Sequence, residues 1–140
     1  MSDLSVFFAQ DDLGEITEEV VVSTRFKDKE GKPVPWRLRS MTEAENKAIR
    51  QSATKSVKAR HGGPTREVDF EEYLAKLAVA SIVYPNLKDA DLQASYRVKG
   101  ADAVLQKMLL PGEYATLLQK VQELNGFDQD INELVDEVKN

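Results

Sequence analysis

Four groups of residues in this sequence have types and spacings that could carry chemistry, and each needs partners of its own. His61 is the one histidine, set between Arg60 and Gly62-Gly63. As a general base or metal ligand it would need a second group to fix its tautomer and orientation, and the chain has no other histidine and no cysteine. It reads as an exposed loop residue. Gly62-Gly63-Pro64-Thr65 has the small residues of a phosphate loop. It lacks the spaced glycines and the closing Gly-Lys-Ser/Thr that aim amides and an ammonium at phosphate. Asp89 with Asp91, and Asp128 with Asp130, are paired carboxylates suited to a cation or to acid/base work. Each pair stands at an expected helix start, where carboxylates favour the helix dipole, and the full ligand series of an EF-hand is absent. No nucleophile, base and stabiliser come together, so the sequence does not read as an enzyme and implies no cofactor.

The fourth group is the basic stretch from Arg25 to Arg66, with 12 Lys or Arg against 4 Asp or Glu. Clustered cations bind phosphate backbones, and Trp36 beside Arg37 and Arg39 could stack a base, so nucleic-acid binding through residues 25–66 is the rival function to test. The flanks have the opposite sign. Residues 1–24 carry −6, and residues 67–140 hold 7 Lys or Arg against 14 Asp or Glu. Either the three segments face one another, within a chain or between copies, or the basic middle meets an acidic partner. Trp36 falls at a core position and the rest of the chain is acidic, which weighs against nucleic acid.

These residues must be positioned by elements legible in the pattern. Leu4, Phe7 and Phe8 share a helical face and predict a short anchoring helix. Residues 19–41 predict a β-hairpin: Val- and Thr-rich 19–26, a turn at Lys27 to Pro33, and Trp36-Arg37-Leu38-Arg39 alternating with Trp36 and Leu38 inward. Thr42 and Glu45 form a capping-box pattern ahead of a helix over 43–58, with a thin stripe of Ala44, Ala48, Ile49, Ala53 and Val57. Residues 60–65 follow as an exposed loop. Asp69 caps a central helix bearing Phe70, Tyr73, Leu74, Leu77, Ala78, Ser81 and Ile82 up to Pro85. Further helices are expected over 89–96, 102–110 and 113–124, and a last one over 128–139 with Ile131, Leu134, Val135 and Val138 on one face. That face either closes the core or docks on a partner.

The 140 residues, 41% hydrophobic and 31% charged with net charge −5, fit one soluble domain over 1–140. Its expected class is α+β, mostly helical, with the N-terminal hairpin (about 19–41) packed against a cluster of about five helices (about 42–140). No signal peptide or run of about 18 apolar residues is present, so a cytoplasmic location with no membrane partner is expected.

Several stretches carry a family pattern: Phe7-Phe8-Ala9-Gln10, Arg25-Phe26-Lys27-Asp28, Gly31-Lys32-Pro33-Val34-Pro35-Trp36, Tyr73 to Ala78, Val83-Tyr84-Pro85-Asn86-Leu87 and Leu109 to Tyr114. Together they resemble the XkdN-like phage tail assembly chaperones over almost the whole chain. The resemblance implies a non-enzymatic protein of a phage or prophage. Such a protein binds the tape measure protein and keeps it soluble during tail assembly in the host cytoplasm, and it is absent from the mature virion. It also implies self-association and, in related proteins, a longer frameshifted form, to which a chain ending at Asn140 would be the short counterpart. A structural tail component is the remaining alternative. The shared motifs contain no reactive group, so the face of Ile131, Leu134, Val135 and Val138 is the expected partner contact.

Overall fold

The computed structural model describes residues 4–9, 14–58 and 61–127. After a short 3-10 turn at Leu4–Phe7 come β1 (Thr17–Val20), β2 (Trp36–Arg39), α1 (Glu43–Ser52), β3 (Thr54–Val57) and β4 (Thr65–Val68). Then follow α2 (Phe70–Ser81), β5 (Ile82–Tyr84), α3 (Ala90–Ser95), α4 (Ala101–Met108) and α5 (Pro111–Leu124). The class is α+β, with an N-terminal hairpin against five helices among the described residues, as the sequence predicts.

β1 and β2 run antiparallel with Thr17 opposite Arg39 and Val20 opposite Trp36. Alternation along β2 sends Trp36 and Leu38 inward, where they are 2% and 0% exposed, and turns Arg37 outward. Beyond Trp36 the hairpin continues irregularly. The Val34 N–H donates to the Phe26 carbonyl at 2.9 Å, and the Asp28 carboxylate accepts the Glu30 and Lys32 amides at 2.8 and 3.0 Å. Gly31 closes this turn with φ of +82°, a conformation in which an L side chain is strained. β5 then joins the other side of β2, giving a sheet ordered β1-β2-β5.

Four of the five described helix starts have a clear chemical cause. Thr42 and Glu45 complete the capping box of α1, and Asp69 and Asp89 accept the amides of Glu72 and Leu92 to start α2 and α3. Pro111 occupies the first turn of α5, where its missing N–H costs nothing. The helices bury Leu77, Val104, Leu105, Leu117 and Val121 against Leu38 and Trp36.

The structure departs from the sequence expectations in four places. The helix expected over 43–58 stops at Ser52, and Thr54–Val57 instead pairs with Thr65–Val68 as a second antiparallel hairpin. The β-branched Thr54 and Val57 favour that pairing, and the Thr54 hydroxyl caps the Arg50 carbonyl at 2.8 Å. Ala44 and Ala48 are exposed, while the polar Asn46 is the buried residue of α1. It is held by the Tyr73 hydroxyl donating to its Oδ1, and by its own amide donating to Glu43 at 2.9 Å. Leu4, Phe7 and Phe8 do not anchor: they are 68%, 81% and 60% exposed, and Phe70 at the start of α2 is 69% exposed. β5 was expected to be the end of a helix; Ile82-Val83-Tyr84 is a β-branched and aromatic run, and β2 offers it a partner.

An ion pair ties the hairpin arm to the α4–α5 junction. The Arg25 guanidinium, on the arm after β1, meets the Glu113 carboxylate at 2.6 Å and also donates to the Met108 carbonyl at 2.7 Å. Glu113 in turn accepts the Leu110 amide at 2.8 Å. Arg25, then Ser23, then the Leu110 amide hold the Glu113 carboxyl down from 4.5 to about 2.

Two predictions follow from these contacts. A carboxylate with a depressed folded-state pKa stabilises the fold above its unfolded value and loses that contribution as pH falls. The melting temperature of Glu113→Gln is therefore expected below wild type at pH 7, with the gap closing between pH 4.5 and about 2. A gap independent of pH would show that the charge of Glu113 is not what holds the junction. Tyr73→Phe leaves the buried Asn46 oxygen without its donor and is expected to cost about 1–3 kcal/mol in urea unfolding. A variant as stable as wild type would show that water replaces the hydroxyl.

Candidate interaction surfaces

Most of the residues singled out for chemistry prove to be structural. His61, Gly62 and Gly63 are exposed in the connection between β3 and β4. No group of three or more His, Asp or Glu residues among those described could hold a metal ion. Asp89 is the cap of α3 and Asp91 lies in its first turn, so this carboxylate pair acts on the helix start. Asp128 and Asp130, and the expected contact face of Ile131, Leu134, Val135 and Val138, lie outside the described residues.

Part of the basic stretch is answered from within the chain. Arg37 pairs with Glu19 at 3.3 Å from the acidic N-terminal segment. From the acidic C-terminal segment, Glu113 pairs with Arg25, and Asp69 and Glu72 lie 3.7 and 3.1 Å from Lys55. Arg39 and Arg50 meet Glu45 and Glu43 at 2.9 and 3.4 Å. Side-chain hydrogen bonds lower the pKa of each of Glu43, Glu45 and Glu72, from Asn46, Arg39 and Lys55 respectively as the leading cause. The segments of opposite charge therefore face one another within one chain. Trp36, the aromatic that a base would stack on, is buried under the hairpin.

What the surface does offer is apolar area and concavity. A groove of about 400 Å³ lies between the hairpin arm and the turn after β5. Phe26, Val34, Tyr84, Pro85 and Met108 line it, and Lys27 stands at its rim. A wider depression of about 610 Å³ runs between α2 and the segment leading to α3, with Val79, Ile82 and Leu87 in it and Arg39 and Lys88 at its edges. Exposed apolar side chains are concentrated at the N-terminal turn, in Leu4, Val6, Phe7 and Phe8, and along β5, in Val83 and Tyr84. Isolated exposed hydrophobics are ordinary; neighbouring ones, including two adjacent phenyl rings, mark a contact surface. Sequence reasoning assigned the Phe pair to the core and missed the groove. The clue was Ile82-Val83-Tyr84-Pro85, an apolar run that ends in a proline and reads as an edge strand. No described helix is long and apolar enough to cross a membrane.

Known proteins are similar to this chain in sequence and fold. The chain is 36% identical over 141 residues to protein YqbN of Bacillus subtilis (strain 168), covering 99% of this chain and 93% of YqbN. It is 33% identical to the phage-like element PBSX protein XkdN of the same organism, covering 99% of this chain and 94% of XkdN. The crystal structure of protein YqbN matches with a TM-score of 0.78 at 32% identity, over 91% of this chain and 99% of that one. The elements that carry the Arg25–Glu113 junction and the apolar groove thus lie in a fold shared with YqbN. With residues 4–139 matching the phage XkdN-like tail assembly chaperone proteins, the chain belongs to that family.

Proposed function

We propose that this protein is the assembly chaperone of a phage or prophage tail whose client is the tape measure protein, bound in the host cytoplasm before the tail tube closes around it. The observation that carries this reading is the family match over residues 4–139. Its chemistry agrees with the surface. A tape measure is long, helical and aggregation-prone, and a protein that keeps it soluble needs apolar strips to cover its seams and a charged exterior facing water. The chain has exposed apolar side chains together with a net charge of −5. No catalytic step is part of this role. The stripe of Ile131, Leu134, Val135 and Val138 is the proposed client contact, in a helix-in-groove mode. The rival nucleic-acid reading loses support because Arg25, Arg37 and Lys55 of the basic stretch are paired within the chain and Trp36 is buried.

Co-expression with the tape measure protein encoded nearby tests the proposal. The client is expected in the soluble fraction, co-purifying with this chain at both low and high salt. A client that stays insoluble would remove the functional reading while leaving family membership intact. Leu134→Asp combined with Val138→Asp is expected to abolish client solubilisation with little change in circular dichroism or melting temperature. If the double variant unfolds, that face belongs to the core and the client contact lies elsewhere.

A further inference from the structure

We propose that the N-terminal arm Leu4–Ala9 of one copy seats in the Phe26–Tyr84–Pro85 groove of a second copy, so that this chain self-associates by arm exchange. The inference goes beyond client binding and does not rest on it. It starts from the arm, whose Leu4, Val6, Phe7 and Phe8 are 68%, 56%, 81% and 60% exposed in a single chain. Covering a phenyl ring is among the larger single gains open to a surface, and the arm has two in succession.

The groove is the complementary half. It is concave, lined by Phe26, Val34, Tyr84, Pro85 and Met108, and its volume of about 400 Å³ can admit aromatic side chains. Tyr84 is 55% exposed, so part of this lining is still open to water. Charge favours the same match. Residues 1–24 hold six acidic side chains and no Lys or Arg, with Asp3, Asp11 and Asp12 flanking the arm. Lys27 lines the groove, and the adjoining turn adds Lys29 and Lys32 with Asp28 and Glu30, leaving this edge net positive. Acidic flanks on a basic rim orient the encounter, and the buried rings supply the affinity.

Topology points to a second copy. β1 is pinned where the arm leads into the sheet: the Ile16 amide donates to the Ser40 hydroxyl at 2.8 Å, and the Ser40 amide to the Ile16 carbonyl at 2.7 Å. This is the Arg39 end of the hairpin, at the β1 edge. The groove lies at the Trp36 end and on the β5 edge, since Tyr84 pairs with Arg37. To reach its own groove the arm would double back along the strand and cross to the opposite edge of the sheet. A neighbouring copy presents the same groove without that detour, and contact of one patch with a different patch lets copies join in series.

The absence of cysteine makes the test clean. One preparation carries Ala9→Cys at the end of the arm. A second, with a size tag, carries Pro35→Cys, an exposed position beside Val34 and Trp36 in the groove wall. Mixed and oxidised without client, they are expected to give the mixed disulfide dimer. Light scattering of the wild type is expected to show a mass that rises with concentration above 15.7 kDa. Phe7→Asp with Phe8→Asp, and separately Tyr84→Asp, are expected to weaken association at least about tenfold with unchanged circular dichroism. Three results would each overturn the proposal. One is a wild-type mass that stays at one chain. A second is an association that neither variant weakens. The third is a disulfide formed only within one chain when both cysteines are placed together. The readout contains no tape measure protein, so it stands or falls separately from the client experiment.

Discussion

The contact between Arg25 and Glu113 is the polar constraint that seats the hairpin arm on the α4–α5 junction, where the arm also buries Val22 and packs Phe26 against the core. A short antiparallel hairpin is marginal by itself in water, and β1, with Thr17, Glu18 and Glu19 all exposed, contributes little apolar area to the core. Arg25 compensates by reaching across to Glu113 and to the Met108 carbonyl at the end of α4. One guanidinium thereby serves a free helix-end carbonyl and the carboxylate that caps the next helix. The pair also holds Arg25 beside Met108, and both residues line the groove. An arginine at this position cannot be replaced by lysine without losing the fork that addresses two acceptors.

Two further polar junctions follow the same logic. Arg39 donates to the Ala80 carbonyl at 2.9 Å and to Glu45, tying β2 to the end of α2 and the start of α1. Asn125 accepts the Met41 amide at 2.8 Å and donates to the Val121 carbonyl, fixing the end of α5 beside the start of α1. In each case a charged or amide side chain satisfies backbone groups at an element end. The apolar core supplies the bulk of the driving force, and these contacts select one arrangement of the elements around it.

Much of this was legible in the residues because local chemistry decided it. Thr42 with Glu45, Asp69, Asp89 and Pro111 announce helix starts through short-range hydrogen bonding, and the structure places a helix after each. Trp36 and Leu38 were legible from strand alternation. The failures share a cause of another kind. Residues 54–57 and 82–84 are short segments whose state depends on a distant partner, so helix periodicity extended through them until a strand was available to pair. The Phe pair was assigned to the core because aromatic spacing alone does not distinguish an anchor within a chain from one offered outward. The basic stretch was open between intramolecular pairing and an acidic partner, and only tertiary contacts such as Lys55 with Glu72 could decide it.

That decision bears on how such a protein works. A chain of alternating acidic, basic and acidic segments could have bound its client electrostatically, with an affinity that salt would erode. Here Arg25 and Arg39 instead tie the hairpin to the helices through Glu113 and Glu45, Arg37 pairs with Glu19 within the sheet, and Lys55 pairs with Glu72 between β3 and α2. Apolar surface remains open for association: the N-terminal rings, the β5 edge and the groove between the arm after β1 and the turn after β5. Apolar contacts are non-directional and tolerant of sequence, which would suit the proposed client with its succession of similar helical seams. In that proposed role the net negative charge would keep the complex dispersed while the apolar faces are covered. Paired charges such as Arg25 with Glu113 help position the elements, and apolar side chains are left exposed at the surface.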